Sequence, residues 1–258
     1  RILYTRWEYV DRSQVDYHHL WAMNPDGTGQ MIHFGNMHPG GLFIDAKPVP
    51  GTDEVLFINS PGHGAKEHTG MVALVGVKKG PDELPAIHNI TDGGFRDPYP
   101  VTGDAFLAAH GRDIVLLDRT GISERLYALP GSAEKLELHE PRPVLPHPRE
   151  PVIPPRVDRG KGTGKLILSD VRAGRNMGGV APGEIKKLLV VESLPKPINY
   201  TGGMDPLSYG GSFTLERVLG TVPVEEDGSA CFEVPAGRSL FFVALDAQDN
   251  SVKRMQSF

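Results

Sequence analysis

The chain has 258 residues and a mass of 28.1 kDa, and it is 39% hydrophobic and 23% charged, a balance that argues against disorder and against a membrane-spanning role. With 27 basic against 32 acidic residues the formal charge is −5, so no basic field exists to hold a nucleic acid or an anionic membrane surface. The 31 glycines and 23 prolines follow no collagen-like period and leave little room for long helices, which points to a turn-rich all-β protein.

The chain opens at Arg1 inside a segment that reads as a strand, and it stops at Phe258 without a terminal signature; both ends read as cuts in a longer protein. No apolar run approaches the roughly 18 residues of a membrane-spanning helix. Short apolar runs then recur in pairs: Ile2–Thr5 with Leu20–Met23, Val55–Ile58 with Met71–Val75, and Ala105–Ala108 with Ile114–Leu117. First members lie 53 and 50 residues apart and second members 51 and 43, the period of β-propeller blades. About three blades are expected over residues 1–140. Asn24-Pro25-Asp26-Gly27-Thr28-Gly29 and Asp118-Arg119-Thr120-Gly121 mark turns after equivalent strands. Three blades cannot close a ring, so further blades or a partner must cover the end faces; an irregular sandwich with coincidental spacing is the competing architecture.

From Pro141 to Pro155 proline is too dense for helix or central strand and predicts an extended polyproline segment. Together with the adjoining Gly/Lys-rich stretch, residues 141–164 read as a linker. Its plainest role is a spacer or a strap across the neighbouring domain; a ligand for a proline-recognising module is the alternative. A small antiparallel β-sandwich is expected over 165–258, with strands at Leu166–Leu168, Ile185–Val191, Phe213–Leu219, Thr221–Val224, Ala230–Val234 and Leu240–Leu245. Asp227-Gly228 reads as a hairpin turn. Cys231, mid-strand between Ala230 and Phe232, is expected to be a buried, inert thiol.

As the single cysteine, Cys231 excludes a disulfide framework, a Cys-based zinc site, an iron–sulfur cluster and a C-x-x-C-H haem attachment within these residues. Six of ten histidines fall in the first 68 positions, His33 among them. Blades converge on a central channel or rim, so His18, His19, His38, His63 and His68 are the candidate ligands for zinc or another transition metal, with Asp16, Asp45 and Glu67 to orient the rings. Ordinary rim histidines are the competing reading. His63-Gly64-Ala65-Lys66-Glu67-His68 misses the helical zinc motifs by one residue and lies among helix breakers. Gly160–Lys165 lacks phosphate-loop spacing and runs into a strand rather than a helix, and no G-x-S-x-G elbow is present. Catalytic residues are therefore not assigned. Asn89-Ile90-Thr91 and Asn199-Tyr200-Thr201 match the glycosylation sequon, which occurs often by chance.

Leu20–Gly29 resembles the blade signature of TolB-like propeller repeats. His33–Gly40, Ile44–Thr52, Ser60–Gly64, Leu219–Ala230 and Val252–Phe258 resemble large extracytoplasmic proteins of planctomycete-type bacteria related to the hydrazine synthase alpha subunit, in which a propeller precedes a β-rich middle domain. The resemblance implies a periplasmic or extracellular parent protein. It also implies a C-x-x-C-H haem c site shortly after Met255-Gln256-Ser257-Phe258, beyond this chain, and makes the five histidines candidates for lining a site that faces that module. No cofactor is implied within the chain itself. The reading drawn from it is a non-catalytic scaffold that shields or positions a downstream haem module, with upstream blades and the haem domain of the same parent as partners. Two alternatives stand beside it: a metal-binding or metal-dependent redox site built from the histidines, and a carbohydrate- or protein-binding module using an aromatic patch near Trp7, Tyr9, Tyr17 and Trp21.

Overall fold

The apolar pairs fold as neighbouring antiparallel strands of three separate sheets in a computed structural model of the chain. The structure describes all residues except 12–13, 63–67, 132–134, 147–148, 176, 195–215 and 255–258, and for residues 8–17 it describes the backbone alone. Two compact units result, Arg1–Val157 and Asp158–Phe258. The fold is all-β apart from one 3-10 turn at Leu84–Ala86. Among the described residues no helix is long and apolar enough to cross a membrane.

In the first unit, β1 (Ile2–Asp11), β2 (Gln14–Met23) and β3 (Met31–Phe34) form a three-stranded sheet. The second sheet runs β4 (Phe43–Pro48), β5 (Glu54–Asn59), β6 (Met71–Gly76), β7 (Ile87–Asn89), and the third runs β8 (Phe95–Pro100), β9 (Ala105–His110), β10 (Asp113–Asp118), β11 (Ser123–Ala128). Both are up-and-down meanders in chain order, the strand arrangement of a propeller blade. The second sheet explains why its central strands show no polar alternation. Val55, Phe57, Ala73 and Val75 pack with Leu20, Phe34 and Phe43 of neighbouring segments. On the opposite face, Leu56, Ile58, Val72 and Leu74 pack with Phe106, Ala108, Val115 and Leu117 of the third sheet. A strand covered on both faces has no solvent side to keep polar, and each fully buried side chain of this size contributes about 1.5–3 kcal/mol.

The proline-rich segment belongs to the first unit. Glu140 N–H donates to Asp97 Oδ2 on β8 at 3.0 Å, and Arg156 N–H donates to Asp26 Oδ2 at 2.5 Å in the turn between β2 and β3. It is a strap tied to the third sheet at one end and to the first at the other. Asp26 also accepts from Thr28 N–H and Oγ1 at 3.0 and 2.7 Å; with the Arg156 amide as the largest cause, these donors pull its pKa down to about 2. A carboxyl depressed in the folded state favours folding above its ordinary pKa of 3.8, and that favour is lost as pH falls through about 2. The tie should therefore persist through mild acid. Asp26→Ala should speed trypsin cleavage after Arg149 and Arg156, whereas Thr28→Ala, which spares the strap contact, should not; equal rates in both variants would show that the tie does not hold the strap.

The second unit packs β12 (Thr163–Leu168) with β15 (Ala230–Pro235), and orders β14 (Glu216–Pro223), β13 (Lys187–Ser193), β16 (Leu240–Leu245) and β17 (Ser251–Arg254) in a second sheet. Ile185, Leu188, Ala230 and Ala244 are its buried core. Three features of this unit differ from expectation. Asp227-Gly228 does make a tight reversal, with Gly228 at φ 87°, but it is not a hairpin: β14 and β15 lie in different sheets. The turn is held from outside by Val171 N–H to Gly228 O at 2.8 Å and Arg172 Nη2 to Asp227 O at 2.5 Å. The runs at Phe213–Leu219 and Thr221–Val224 are not two strands, because Gly220, at φ 147°, sits inside β14 beside a register shift of β13 and bulges one continuous strand; residues 213–215 lie outside the described residues. Cys231 does face away from Phe232, yet it is exposed. Its strand buries Ala230 and Val234 on one side, while its cross-strand partner Ile167 is itself 77% exposed on the other.

Candidate functional site

The structure brings three acidic residues together at the inner strands of the propeller unit. Phe43-Ile44-Asp45-Ala46-Lys47-Pro48, Phe95-Arg96-Asp97-Pro98-Tyr99-Pro100 and Leu138-His139-Glu140-Pro141-Arg142-Pro143 repeat an apolar residue, an acid two positions on and a proline three beyond. The acids are 52 and 43 residues apart, close to the blade period. Asp45, Asp97 and Glu140 all occupy left-handed backbone, at φ 56°, 50° and 48°, and the first two coincide with register shifts in β4 and β8. A bulge with positive φ re-aims the side chain out of the pleat, and here it turns the acids toward one another: their carboxylate oxygens lie within 4.8 Å.

Oxygen donors at that separation suit a hard divalent cation, but the chain also supplies positive charge to the same place. Burial is the main cause pushing Asp45 up and Lys47 down, and in each case the charge of the other opposes the shift. Lys47 Nζ donates to the Asp45 carbonyl at 3.2 Å, Arg142 pairs with Glu140, and its guanidinium lies 5.1 Å from the Tyr99 ring centre. Arg96 Nη1 reaches Glu137 Oε2 at 2.6 Å and His139 Nε2 at 3.1 Å, while His139 Nδ1 stands 3.3 Å from Asp97 Oδ2. Because a guanidinium only donates, His139 Nε2 accepts and Nδ1 carries the proton toward Asp97. The cluster is thus an ion-pair and hydrogen-bond network that fastens the strap to β8, with Asp45 and Lys47 of β4 beside it.

Among the described residues, this is the grouping of three potential metal ligands, and it contains no histidine. His18 and His19 are consecutive in β2, buried at 3% and 0% exposure, and as neighbours in a strand they face opposite sides of the sheet. The His18 ring is 5.1 Å from that of Trp7. His38 Nε2 contacts the Asp82 carbonyl at 2.8 Å, His68 is exposed in a turn, and His63 lies outside the described residues. Trp7 and Trp21 fall on opposite faces of the first sheet, since Trp7 pairs with His18 and Trp21 with Tyr4; Trp21 carries the Arg6 guanidinium 4.5 Å from its ring centre. The side chains of Tyr9 and Tyr17 are outside the description. A cleft of about 740 Å³ lies elsewhere, along Thr52, Asp53, Glu54, Lys78, Lys79 and Glu83, where Lys78 and Asp53 pair at 3.7 Å in the open.

A covalent haem of the c type needs two cysteines and a histidine in C-x-x-C-H. The sequence offers Cys231 alone, followed by Phe232-Glu233-Val234, so the residues present do not fit that group. Residues 183–258 match the family model of the hydrazine synthase alpha subunit middle domain. No curated protein matches the chain. Among solved structures, hydrazine synthase of Kuenenia stuttgartiensis is similar, with a TM-score of 0.72 at 16% identity, over 99% of this chain and 40% of that one. The chain therefore spans less than half the length of the solved protein it matches. Residues 183–258 are thus related to the middle domain of the hydrazine synthase alpha subunit, and the chain as a whole shares its fold with part of hydrazine synthase.

Proposed function

We propose that this chain is a scaffold segment of a multidomain, extracytoplasmic relative of the hydrazine synthase alpha subunit, whose blades and sandwich shield and position a haem c module carried elsewhere in the same parent chain. The observation that carries the reading is the extent of the structural match: nearly the whole chain corresponds to 40% of a longer protein, while the chain has one exposed cysteine and no covalent haem motif.

Expression of this chain and of the full parent in a host competent for cytochrome maturation tests the proposal. The isolated chain should be colourless, without a Soret band, and the parent should carry covalent haem. Haem held by the isolated chain, or a parent that matures without any, would overturn it.

A further inference from the structure

The three inner segments differ in their strand partners. β4 pairs with β5 through Phe43, Ile44, Lys47 and Pro48, and β8 pairs with β9 through Phe95, Arg96, Tyr99 and Pro100. Leu138–Pro143 repeats their sequence pattern and the left-handed acid. It also repeats their attachment to the sheet before. Phe95 N–H donates to the carbonyl of Gly70, just ahead of β6, at 3.0 Å, and Leu138 N–H donates to the carbonyl of Gly111, just ahead of β10, at 2.9 Å. In each case the inner segment of one blade is docked against the turn between the two central strands of its predecessor. Yet no strand pairs with Leu138–Pro143 among the described residues, because the chain continues into the proline-rich strap. Prolines do not disqualify it, since Pro98 and Pro100 occupy the matching places in β8.

The chain thus displays an inner strand whose sheet is not among the described residues.

We infer that Leu138–Pro143 is the inner strand of a further blade whose remaining strands come from another part of the same parent chain, so that this blade is shared between distant segments. This rests on the reading of the chain as part of a longer propeller protein; the 40% coverage of the solved relative favours a sheet from the parent over one from a second copy. By correspondence with Ile44 and Lys47, His139 and Arg142 offer the backbone groups for the new ladder, and Leu138 takes the place of Phe43 and Phe95.

Hydrogen exchange of the full parent and of the 258-residue chain, read on the peptide covering residues 137–143, tests the inference. In the isolated chain the His139 and Arg142 amides should exchange freely; in the parent they should slow by roughly 100-fold, while β5 and β9 stay protected in both. Fast exchange in a parent whose β5 and β9 are protected would overturn the shared strand and leave the scaffold reading standing. Protection that appears in the isolated chain together with a dimeric mass would also overturn it, because a second copy would then be the source. The haem content of the parent, measured on the same sample, reports separately on the scaffold reading.

Discussion

Phe57→Ala is expected to lower the stability of the propeller unit by about 3–5 kcal/mol, the cost of deleting a large side chain from a core that cannot collapse around the space. Phe57 is 0% exposed and meets Phe43 edge-on at a centroid distance of 5.4 Å, with Phe43 in turn 5.6 Å from Phe34. Phe43 and Phe57 belong to the second sheet and Phe34 to the first, and all three share one core cluster, so the loss falls on the joint between these sheets. Denaturant unfolding followed by far-ultraviolet dichroism should show a lower midpoint with little change in slope. A loss below about 1 kcal/mol would mean that the rings are not packed as described.

Gly70→Ala is expected to be nearly as damaging, at about 2–4 kcal/mol, by the opposite mechanism of overpacking with the loss of paired backbone hydrogen bonds. A Cβ at Gly70 would run into the carbonyl oxygen of Asn59 and lie 2.8 Å from Ser60 Cα. Both are backbone atoms of the adjacent strand end, so no side-chain rotation relieves the contact. Gly70 also exchanges two hydrogen bonds with Phe95, at 2.9 and 3.0 Å, the bridge between second and third sheets. Gly51→Ala is the informative comparison: Gly51 has φ 74° with open space around it, so its cost is conformational alone, about 1–2 kcal/mol. Thermal unfolding of the two variants side by side should rank Gly70 well below Gly51; the reverse order would show that the bridge yields to the added methyl group.

The sheets were legible in the sequence where burial made them so. Val55–Ile58 and Met71–Val75 stand out as continuous apolar runs because that sheet is covered on both faces, and their spacing carries the blade period. The inner strands are hidden for a physical reason. Asp45 and Asp97 interrupt the apolar pattern at the bulge, and Pro48, Pro98 and Pro100 argue locally against a strand, so each segment reads as loop when taken alone. Only alignment of the three against one another exposes the acid followed three residues later by proline, and that comparison would have found the cluster from sequence. The histidine count gave no pointer to this cluster: the grouping that forms is carboxylate with Lys47 and Arg142 nearby. In the sandwich, Asp227-Gly228 specified a reversal correctly, but turn residues cannot say whether the strands they join pair with each other or with others. Cys231 shows the same limit, since alternation fixed which side it faces and not whether anything covers that side.

The double-sided burial of the second sheet has a consequence for how the unit responds to change. Its two apolar layers meet different neighbours and are separated by the thickness of one sheet, so Phe34 on one side and Phe106 on the other share no partner cluster. Substitutions in the two layers should therefore add in free energy. Each layer can be redesigned, widened or worn down by mutation without retuning the other. A propeller built this way can vary its number of blades by changing only the two faces where a sheet is inserted, which leaves the burden of specificity on the joint that closes the ring.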